Sequence, residues 1–203
     1  MIYSELINNL KKNGFIPYFF ETKEEAKNFI LDLIPPNDSI GMGGSMTTKA
    51  LDLGASFVKR GNVVNSHALC DPSKQNMVYQ LAAASTWYVS STNAITESGE
   101  LVNIDGSANR VSSLAFGPKN IVYVLGVNKI TKNIDEAIKR IRTISAPLNC
   151  KRLNKTTPCV TNIGTCDDCP SSDCICNVTT IMHHPTRHQN KVYIIIINEE
   201  LGY

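Results

Sequence analysis

Hydrophobic positions along the chain alternate between a helical spacing and short, continuous apolar runs. Helical spacing first occurs at Ile2, Leu6, Ile7 and Leu10, and the apolar run "FIPYFF" that follows is typical of a β-strand. In "SIGMGGSMTTKALDLG" the pattern predicts a short strand, a glycine turn and a helix that runs to Gly54. Because strands that alternate with helices form parallel sheets, we predict an α/β fold with a mostly parallel sheet and flanking helices.

The middle and the end of the chain carry different patterns. The segment "NAITESGELVNIDGSANRVSSLAFGPKN" has no helical period and predicts short strands around turns at Ser98-Gly99 and Asp105-Gly106. The runs "NIVYVLG" and "VYIIIINEEL" are typical of strands buried on both faces of a sheet. Between them, Asn133 is predicted to cap the helix "IDEAIKRIRTIS", and Ala146-Pro147 is expected to end it.

One domain over residues 1–203 is predicted, with a cysteine-rich loop at about 156–177 inserted before the last strand. Of the 203 residues 42% are hydrophobic, which is enough to bury a core without covalent staples. The net charge of +2, and the lack of a basic run with interleaved aromatic residues, argue against nucleic acid as a partner. No secretory segment is recognised, and the apolar run Val192–Ile197 is too short to span a bilayer, so we expect a cytoplasmic protein without a membrane partner.

The glycine turn is the first candidate for binding chemistry. Glycines let a ligand approach the backbone closely, and the start of the following helix offers N–H groups to an anion. We therefore predict that Gly43, Gly44, Ser45, Thr47 and Thr48 bind a substrate. The turn matches neither a Walker A loop nor G-x-G-x-x-G, so no nucleotide is specified, and a plain tight turn with Ser45 as N-cap also explains the pattern.

Polar residues crowded between the apolar strands of the middle segment form the second candidate site. A carboxylate beside Gly99 has the chemistry of a base or a nucleophile, so Glu97 is the candidate catalytic residue. Two ordinary hairpin turns also explain this segment, and a lone histidine after a strand is more often a surface or core residue. The further residues predicted to bind the substrate are His67, Asn93, Asp105, Asn109 and Arg110.

Five of the seven cysteines follow the spacing C-x6-C-x2-C-x4-C-x-C near the end of the chain. Cys166 and Cys169 are spaced like the chelating pairs of zinc and iron–sulfur sites. Cys159 and Cys176 can complete a four-thiolate set, which leaves Cys174 as a spare thiol, and the "HHPTRH" segment offers a nitrogen ligand or is simply an exposed basic turn. In a reducing compartment this pattern favours a metal or cluster site over reduced thiols or disulfides. The spacing does not distinguish an iron–sulfur cluster from zinc.

Several motifs together resemble the LUD (lactate utilisation domain) family, in its short branch with cysteines towards the C-terminus. They are "GMGGSMT", "NAITESGELVNIDGSANRV", "FGPKNIVYVLGVNKI", "APLNCKRLNKTTPC", "GTCDDC", "ICN" and "NEELGY". The resemblance implies a fold like that of the sugar-phosphate isomerase and coenzyme A transferase superfamily, in which the glycine turn and the polar middle segment face each other at the carboxyl ends of the strands. It also implies the metal ligands Cys159, Cys166, Cys169 and Cys176.

The resemblance further implies that the protein binds a small anionic metabolite and acts in, or beside, the oxidation of lactate or another organic acid. An iron–sulfur redox protein is an expected partner, and no flavin or nicotinamide fingerprint is present. Two alternatives stay open. The first is a coenzyme A transferase-like acyl transferase or hydrolase, in which Glu97 forms the acyl intermediate beside the Gly43-Gly44 amides. The second is a non-enzymatic redox or metal sensor, with Cys174 as a switchable thiol.

Overall fold

Six parallel strands form the larger of two sheets in the computed structural model, which describes residues 3–161, 166, 169 and 171–203. All five neighbouring pairs in this sheet run in the same direction. The prediction of an α/β fold with a parallel sheet and flanking helices is confirmed. In spatial order the strands are β1 (Ile16–Phe20), β10 (Lys191–Ile197), β7 (Asn120–Gly126), β4 (Trp87–Ser90), β2 (Ile40–Met42) and β3 (Val64–Ser66).

A second sheet of four strands within the described residues packs beside the first. In spatial order its strands are β8 (Ile130–Thr131), β5 (Ala94–Thr96), β6 (Leu101–Asp105) and β9 (Val178–Met182). The antiparallel hairpin of β5 and β6 turns at Ser98-Gly99 as predicted, and Gly99 has the positive φ of 97° that favours glycine. The sequence did not predict β9, whose mixed residues pair with β6 instead of continuing the cysteine-rich loop.

The helices lie on both sides of the larger sheet. Thr22 and Glu25 form a capping box at the start of the second helix, with the side chain of each accepting a hydrogen bond from the backbone N–H of the other. No helix in the described part of the chain is long and apolar enough to cross a membrane. The helices are α1 (Ser4–Lys12), α2 (Lys23–Leu33), α3 (Met46–Ala50), α4 (Leu53–Arg60), α5 (Gln75–Ala83), α6 (Asn109–Phe116), α7 (Ile134–Arg140), α8 (Ala146–Arg152) and α9 (Pro158–Thr161).

Two segments differ from the sequence-based predictions. The helix predicted to run to Gly54 is interrupted at Asp52, whose φ of 52° lies in the left-handed region, so α3 and α4 are separate. The prediction of a strand after Asp105-Gly106 is wrong, because α6 forms there. The Asp105 carboxylate accepts a hydrogen bond from the N–H of Val111 at 3.2 Å, which satisfies a free donor in the first turn of that helix.

The prediction that Ala146-Pro147 ends a helix is also wrong. A π-helical turn, Ile141–Ser145, connects α7 directly to α8, and Pro147 lies in the first turn of α8. A π-helical turn changes which N–H and C=O groups pair, so a proline without an N–H is tolerated at the start of the next regular stretch. The helical segment therefore continues to Arg152.

The hydrophobic core lies on both faces of the larger sheet. Along β7, Val122 and Val124 face one side, where α2 and α4 pack, while Ile121 and Tyr123 face the other side. Residues of α1, β5 and β6 share the cluster on that second side, so the two sheets have a common core. This burial on both faces explains why β7 and β10 are continuous apolar runs.

The parallel arrangement brings four loops to one edge of the sheet, because the carboxyl ends of all six strands meet there. The glycine turn follows β2, and His67 follows β3. Residues 91–93 follow β4, and Lys129 ends a short 3-10 turn directly after β7.

Candidate functional site

A cavity of about 830 Å³ lies at the carboxyl ends of β2, β3, β4 and β7. Its walls are built from the loops after these strands, from the start of α6 and from the region of α8. This is the edge at which open α/β sheets bind ligands. The volume is within the range of small-molecule sites.

Most of the residues predicted to bind a substrate line this cavity. Thr47 lies behind the wall, where its hydroxyl donates to the carbonyl of Leu201 at 3.0 Å. The C-terminal segment therefore packs directly on α3. The predicted residues that line the cavity are Gly43, Gly44, Ser45, Thr48, His67, Asn93, Asp105, Asn109 and Arg110.

Glu97, the candidate catalytic residue, does not line the cavity. It is exposed in the hairpin turn between β5 and β6, where its N–H donates to Thr131 and its carbonyl accepts from the side chain of Asn9. The acyl-intermediate hypothesis required Glu97 beside the Gly43-Gly44 amides, and the structure does not bring them together. The position of Glu97 therefore argues against an acyl intermediate at this residue.

The glycine turn is closely packed on its neighbours. A Cβ atom at Gly43 would lie 2.7 Å from the Ser90 hydroxyl oxygen, and one at Gly44 would lie 3.0 Å from His67 Nε2. Ser45 caps α3 by accepting the N–H of Thr48 at 3.2 Å, as predicted. Glycine at positions 43 and 44 thus permits the close approach of these side chains and is not explained by an unusual φ.

Arg110 holds the polar middle segment together. Its guanidinium donates to Asn103 Oδ1 at 2.5 Å, to Asn93 Oδ1 at 2.9 Å and to the Ile104 carbonyl at 3.0 Å. Its Nε lies 3.7 Å from the Asp105 carboxylate. Arg110 therefore contributes positive charge to the cavity wall, while its N–H groups are largely used within the protein.

Lys129 is a cavity residue that the sequence reasoning missed. The side chain is 2% exposed, and Nζ donates to Thr47 Oγ1 and Ser91 Oγ, both at 2.9 Å, and to the Thr92 carbonyl at 3.3 Å. No carboxylate of the described residues pairs with it. The sequence does indicate this position, because Lys129 closely follows the apolar run "NIVYVLG" and therefore lies near the carboxyl end of a parallel strand.

The environment of Lys129 disfavours its charged form. Burial, assisted by the positive charges of Arg140 and Arg110, lowers the pKa of Lys129 to about 7. Burial and the charge of Arg152 likewise lower the pKa of His67 in the same cavity, against an opposing effect of Asp105.

Cationic side chains outnumber carboxylates in the described cavity wall. Asp52 lies 3.8 Å from Lys27, and Asp105 is paired with Arg110, so both carboxylates already have partners. Arg152 is exposed, and its Nε donates to Tyr203 at 2.8 Å. The charged lining residues are Lys49, Asp52, Asp105, Arg110, Lys129 and Arg152.

Cys176 interacts electrostatically with Cys150 and Cys174 as well as with Cys159 and Cys166 of the predicted four-ligand set. Cys150, which the sequence reasoning did not consider, is buried in α8 and in hydrogen-bond contact with the buried Cys159 of α9. Cys169 is in similar contact with Cys174, the residue predicted to be spare. The turn expected between Cys166 and Cys169 lies outside the described residues.

All seven cysteines are free thiols, and the described residues contain no group of three or more metal-binding side chains arranged to hold an ion. Burial raises the pKa of Cys150 to about 11 and that of Cys176 to about 12, and neighbouring thiolates add to both effects. Cys176 also lines the cavity, so the cysteines adjoin it.

The "HHPTRH" segment was a possible source of a nitrogen ligand. Its His184 and His188 contact the backbone carbonyls of Asn13 and Gly117.

Comparison with known proteins decides the family. The family profile of the LUD domain matches residues 3–197, almost the whole chain. The chain belongs to the LUD domain family. The resemblance inferred from the sequence motifs is thereby confirmed, and a general link to lactate utilisation comes with the family.

A solved structure supports the fold of this LUD domain. A DUF162 family protein from Deinococcus radiodurans is similar with a TM-score of 0.55 and 11% sequence identity, over 97% of this chain and 96% of that chain. At this identity the similarity shows the fold alone. No significant match was found among curated proteins.

Proposed function

We propose that this LUD domain protein binds a small organic-acid anion in the cavity and acts in the oxidation of lactate or a related acid in the cytoplasm. The observation that carries the proposal is the excess of cationic groups in the described cavity wall, where Lys49, Arg110 and Arg152 stand against Asp52 and Asp105, and both of these carboxylates already have cationic partners. Crowded positive charges are costly without counter-charge. A bound carboxylate supplies that counter-charge.

The geometry supports this kind of ligand over a neutral one. Arg152 is exposed at the cavity, while Arg110 and Lys129 are held in the wall by hydrogen bonds. The positive fields of Arg152 and Arg110 add inside a concave site, because the protein walls reduce solvent screening. A volume of about 830 Å³ also accommodates acids larger than lactate.

Isothermal titration with lactate, pyruvate and longer organic acids tests the proposal. We expect Arg152→Gln to weaken binding by about tenfold, equivalent to ~1.4 kcal/mol, because it removes one charge from the wall. Lys139→Gln is the matched control, since Lys139 is exposed outside the cavity and lies 3.9 Å from Glu136. Equal affinities for acids and their neutral amides would contradict an anion site.

We further propose that the cysteines hold an iron–sulfur cluster or a zinc ion beside the cavity. Support comes from the sequence spacing and from the two thiol contacts, Cys150 with Cys159 and Cys169 with Cys174. Thiolates are soft ligands that suit both centres. An iron–sulfur centre would supply electron transfer to a redox partner protein, whereas zinc would stabilise the loop.

Metal and acid-labile sulfide analysis of protein purified without oxygen tests this centre. We expect iron with sulfide, or zinc, in the wild type and in Cys70→Ala, whose thiol contacts only the His67 carbonyl among the described residues. Cys159→Ala should contain neither the iron with its sulfide nor the zinc. Comparing Cys150→Ala with Cys166→Ala then identifies the ligand set, and metal-free wild-type protein would exclude the centre.

A further inference from the structure

We propose that Lys129 is a reactive amine that forms an imine with a small 2-oxo acid bound in the cavity. The inference rests on the proposed anion site and extends it, because it names both the substrate class and the residue that reacts. Lys129 lines the cavity at the carboxyl end of β7, beside the loops that follow β2 and β4.

The hydrogen-bond partners of Lys129 suit a neutral amine. Thr47 Oγ1 donates its own proton to Leu201, so it must accept from Lys129. The Thr92 carbonyl is a second acceptor, and the Ser91 hydroxyl accepts from Nζ while donating to the Thr92 carbonyl. When the Ser91 hydroxyl rotates towards Nζ it can donate to the nitrogen lone pair, which satisfies a neutral amine with two N–H donors, whereas an ammonium group has oxygen acceptors here but no carboxylate to offset its charge.

Ser91 offers a way to release the lone pair. Its hydroxyl also lies 3.1 Å from the Thr92 carbonyl, so rotation towards that carbonyl frees the nitrogen of Lys129 for attack. Rotation of a hydroxyl needs no backbone movement. The amine can therefore alternate between a resting hydrogen-bonded state and a nucleophilic state.

The surrounding charges serve the same reaction in two ways. Arg110 and Arg140 act on the amine from the middle segment and from α7, and together with burial they favour its neutral form near pH 7. Asp105 is paired with Arg110, which limits its effect on the amine. The same cations attract a carboxylate, so a ligand with a carbonyl next to its carboxylate is drawn towards a neutral amine.

The chemistry balances without an oxidant or a reductant. The lone pair of Lys129 attacks the ketone carbon, the π electrons move to oxygen, and one amine proton neutralises that oxygen to give a carbinolamine. The oxygen then leaves as water with the second amine proton, and a carbon–nitrogen double bond forms. A 2-hydroxy acid such as lactate lacks the carbonyl and can bind without reacting.

Borohydride trapping with pyruvate tests the proposal on the full chain. Intact mass should show a single adduct with pyruvate and none with lactate, and peptide mapping should locate it at Lys129. Lys129→Met should abolish the adduct, while Lys139→Met should retain it. If Lys129→Met does not fold, the peptide map of the wild-type protein locates the adduct by itself.

The pH dependence is a second readout. Trapping should be roughly tenfold slower at pH 6 than at pH 8, because the amine must be neutral to attack. If pyruvate binds by titration but no adduct forms, or if the adduct maps to other lysines, the imine proposal is overturned and the anion site stands. If no organic acid binds, both proposals fail.

Discussion

At the scale of single residues, buried Lys129 has the clearest energetic consequence. Its pKa falls from an ordinary value of 10.5 to about 7 in the folded protein. Between these two values the unfolded chain binds more protons at this residue than the folded protein does. The free energy of unfolding therefore rises with pH through this window, and this contribution is lost as the pH falls towards 7.

The comparison of wild type with Lys129→Met isolates this effect from other titrating groups. We expect the wild type to gain stability relative to the variant from pH 7 to pH 9, with a limiting slope of ~1.4 kcal/mol per pH unit. Urea unfolding at several pH values measures the difference. Parallel pH profiles for the two proteins would show that Lys129 keeps an ordinary pKa.

Gly43 and Gly54 offer a matched pair at the cavity wall. Gly43→Ala should destabilise the protein by about 1–3 kcal/mol, because the new methyl group would lie 2.7 Å from Ser90 Oγ and 3.0 Å from the Tyr88 hydroxyl. Gly54→Ala in α4 should be neutral or stabilising, since a Cβ there would make only ordinary contacts, at 3.6 Å with Leu69 and 3.7 Å with Met42. Chemical denaturation compares them, and an unchanged Gly43→Ala stability would contradict the close packing.

At the scale of elements, some helix boundaries are set by local capping residues and others by contacts with distant residues. The starts of α2, α3 and α7 follow local capping, with Thr22, Ser45 and Asn133 as acceptors. The start of α6 depends on Asp105, six residues before Val111 and outside any local capping spacing. The continuation through Pro147 depends on a π-helical turn that no local pattern predicted.

The capping box of α2 gives a testable stability difference. Thr22→Ala should lower the free energy of unfolding by about 1 kcal/mol, because the N–H of Glu25 loses its acceptor. Thr143→Ala is a suitable control, since Thr143 is exposed and its hydroxyl donates only to a carbonyl of its own helical segment. A loss in the control as large as in Thr22→Ala would point to a general effect of removing threonine.

At the scale of the whole molecule, the two sheets share one core. Ile95 and Leu101 of the small sheet pack in the same buried cluster as Tyr88 and Tyr123 of the large sheet. Contacts of this kind couple the unfolding of the parts that make them. The cavity lies beside this core, so its walls depend on both sheets.

Unfolding of the metal-free protein should therefore be a single transition. The one tryptophan, Trp87, is buried in β4 and reports the large sheet, while far-UV circular dichroism reports the whole chain. We expect the same urea midpoint from both signals. Separate midpoints would show that the small sheet, or the cysteine-rich region, unfolds on its own.

Local sequence patterns were sufficient to predict the helices and strands that are determined by neighbouring residues. The strands β1, β7 and β10, the helix α1 and the caps Ser45 and Asn133 were predicted correctly, because continuous burial, helical spacing and capping depend on neighbouring residues. The family was also recognised from motifs, and the strand ends predicted which loops would meet. The glycine turn and the residues of the middle segment consequently line one cavity.

Only the tertiary structure decided the remaining features, because they depend on contacts between distant residues. Burial of Lys129 among Thr47, Ser91 and Thr92 sets its pKa, and no window around position 129 contains those partners. The contact of Cys150 with Cys159 requires α8 to continue past Pro147. The sequence by itself determined the family, the parallel sheet and the edge at which a ligand would bind, whereas the charge balance of that site arises only when the chain folds.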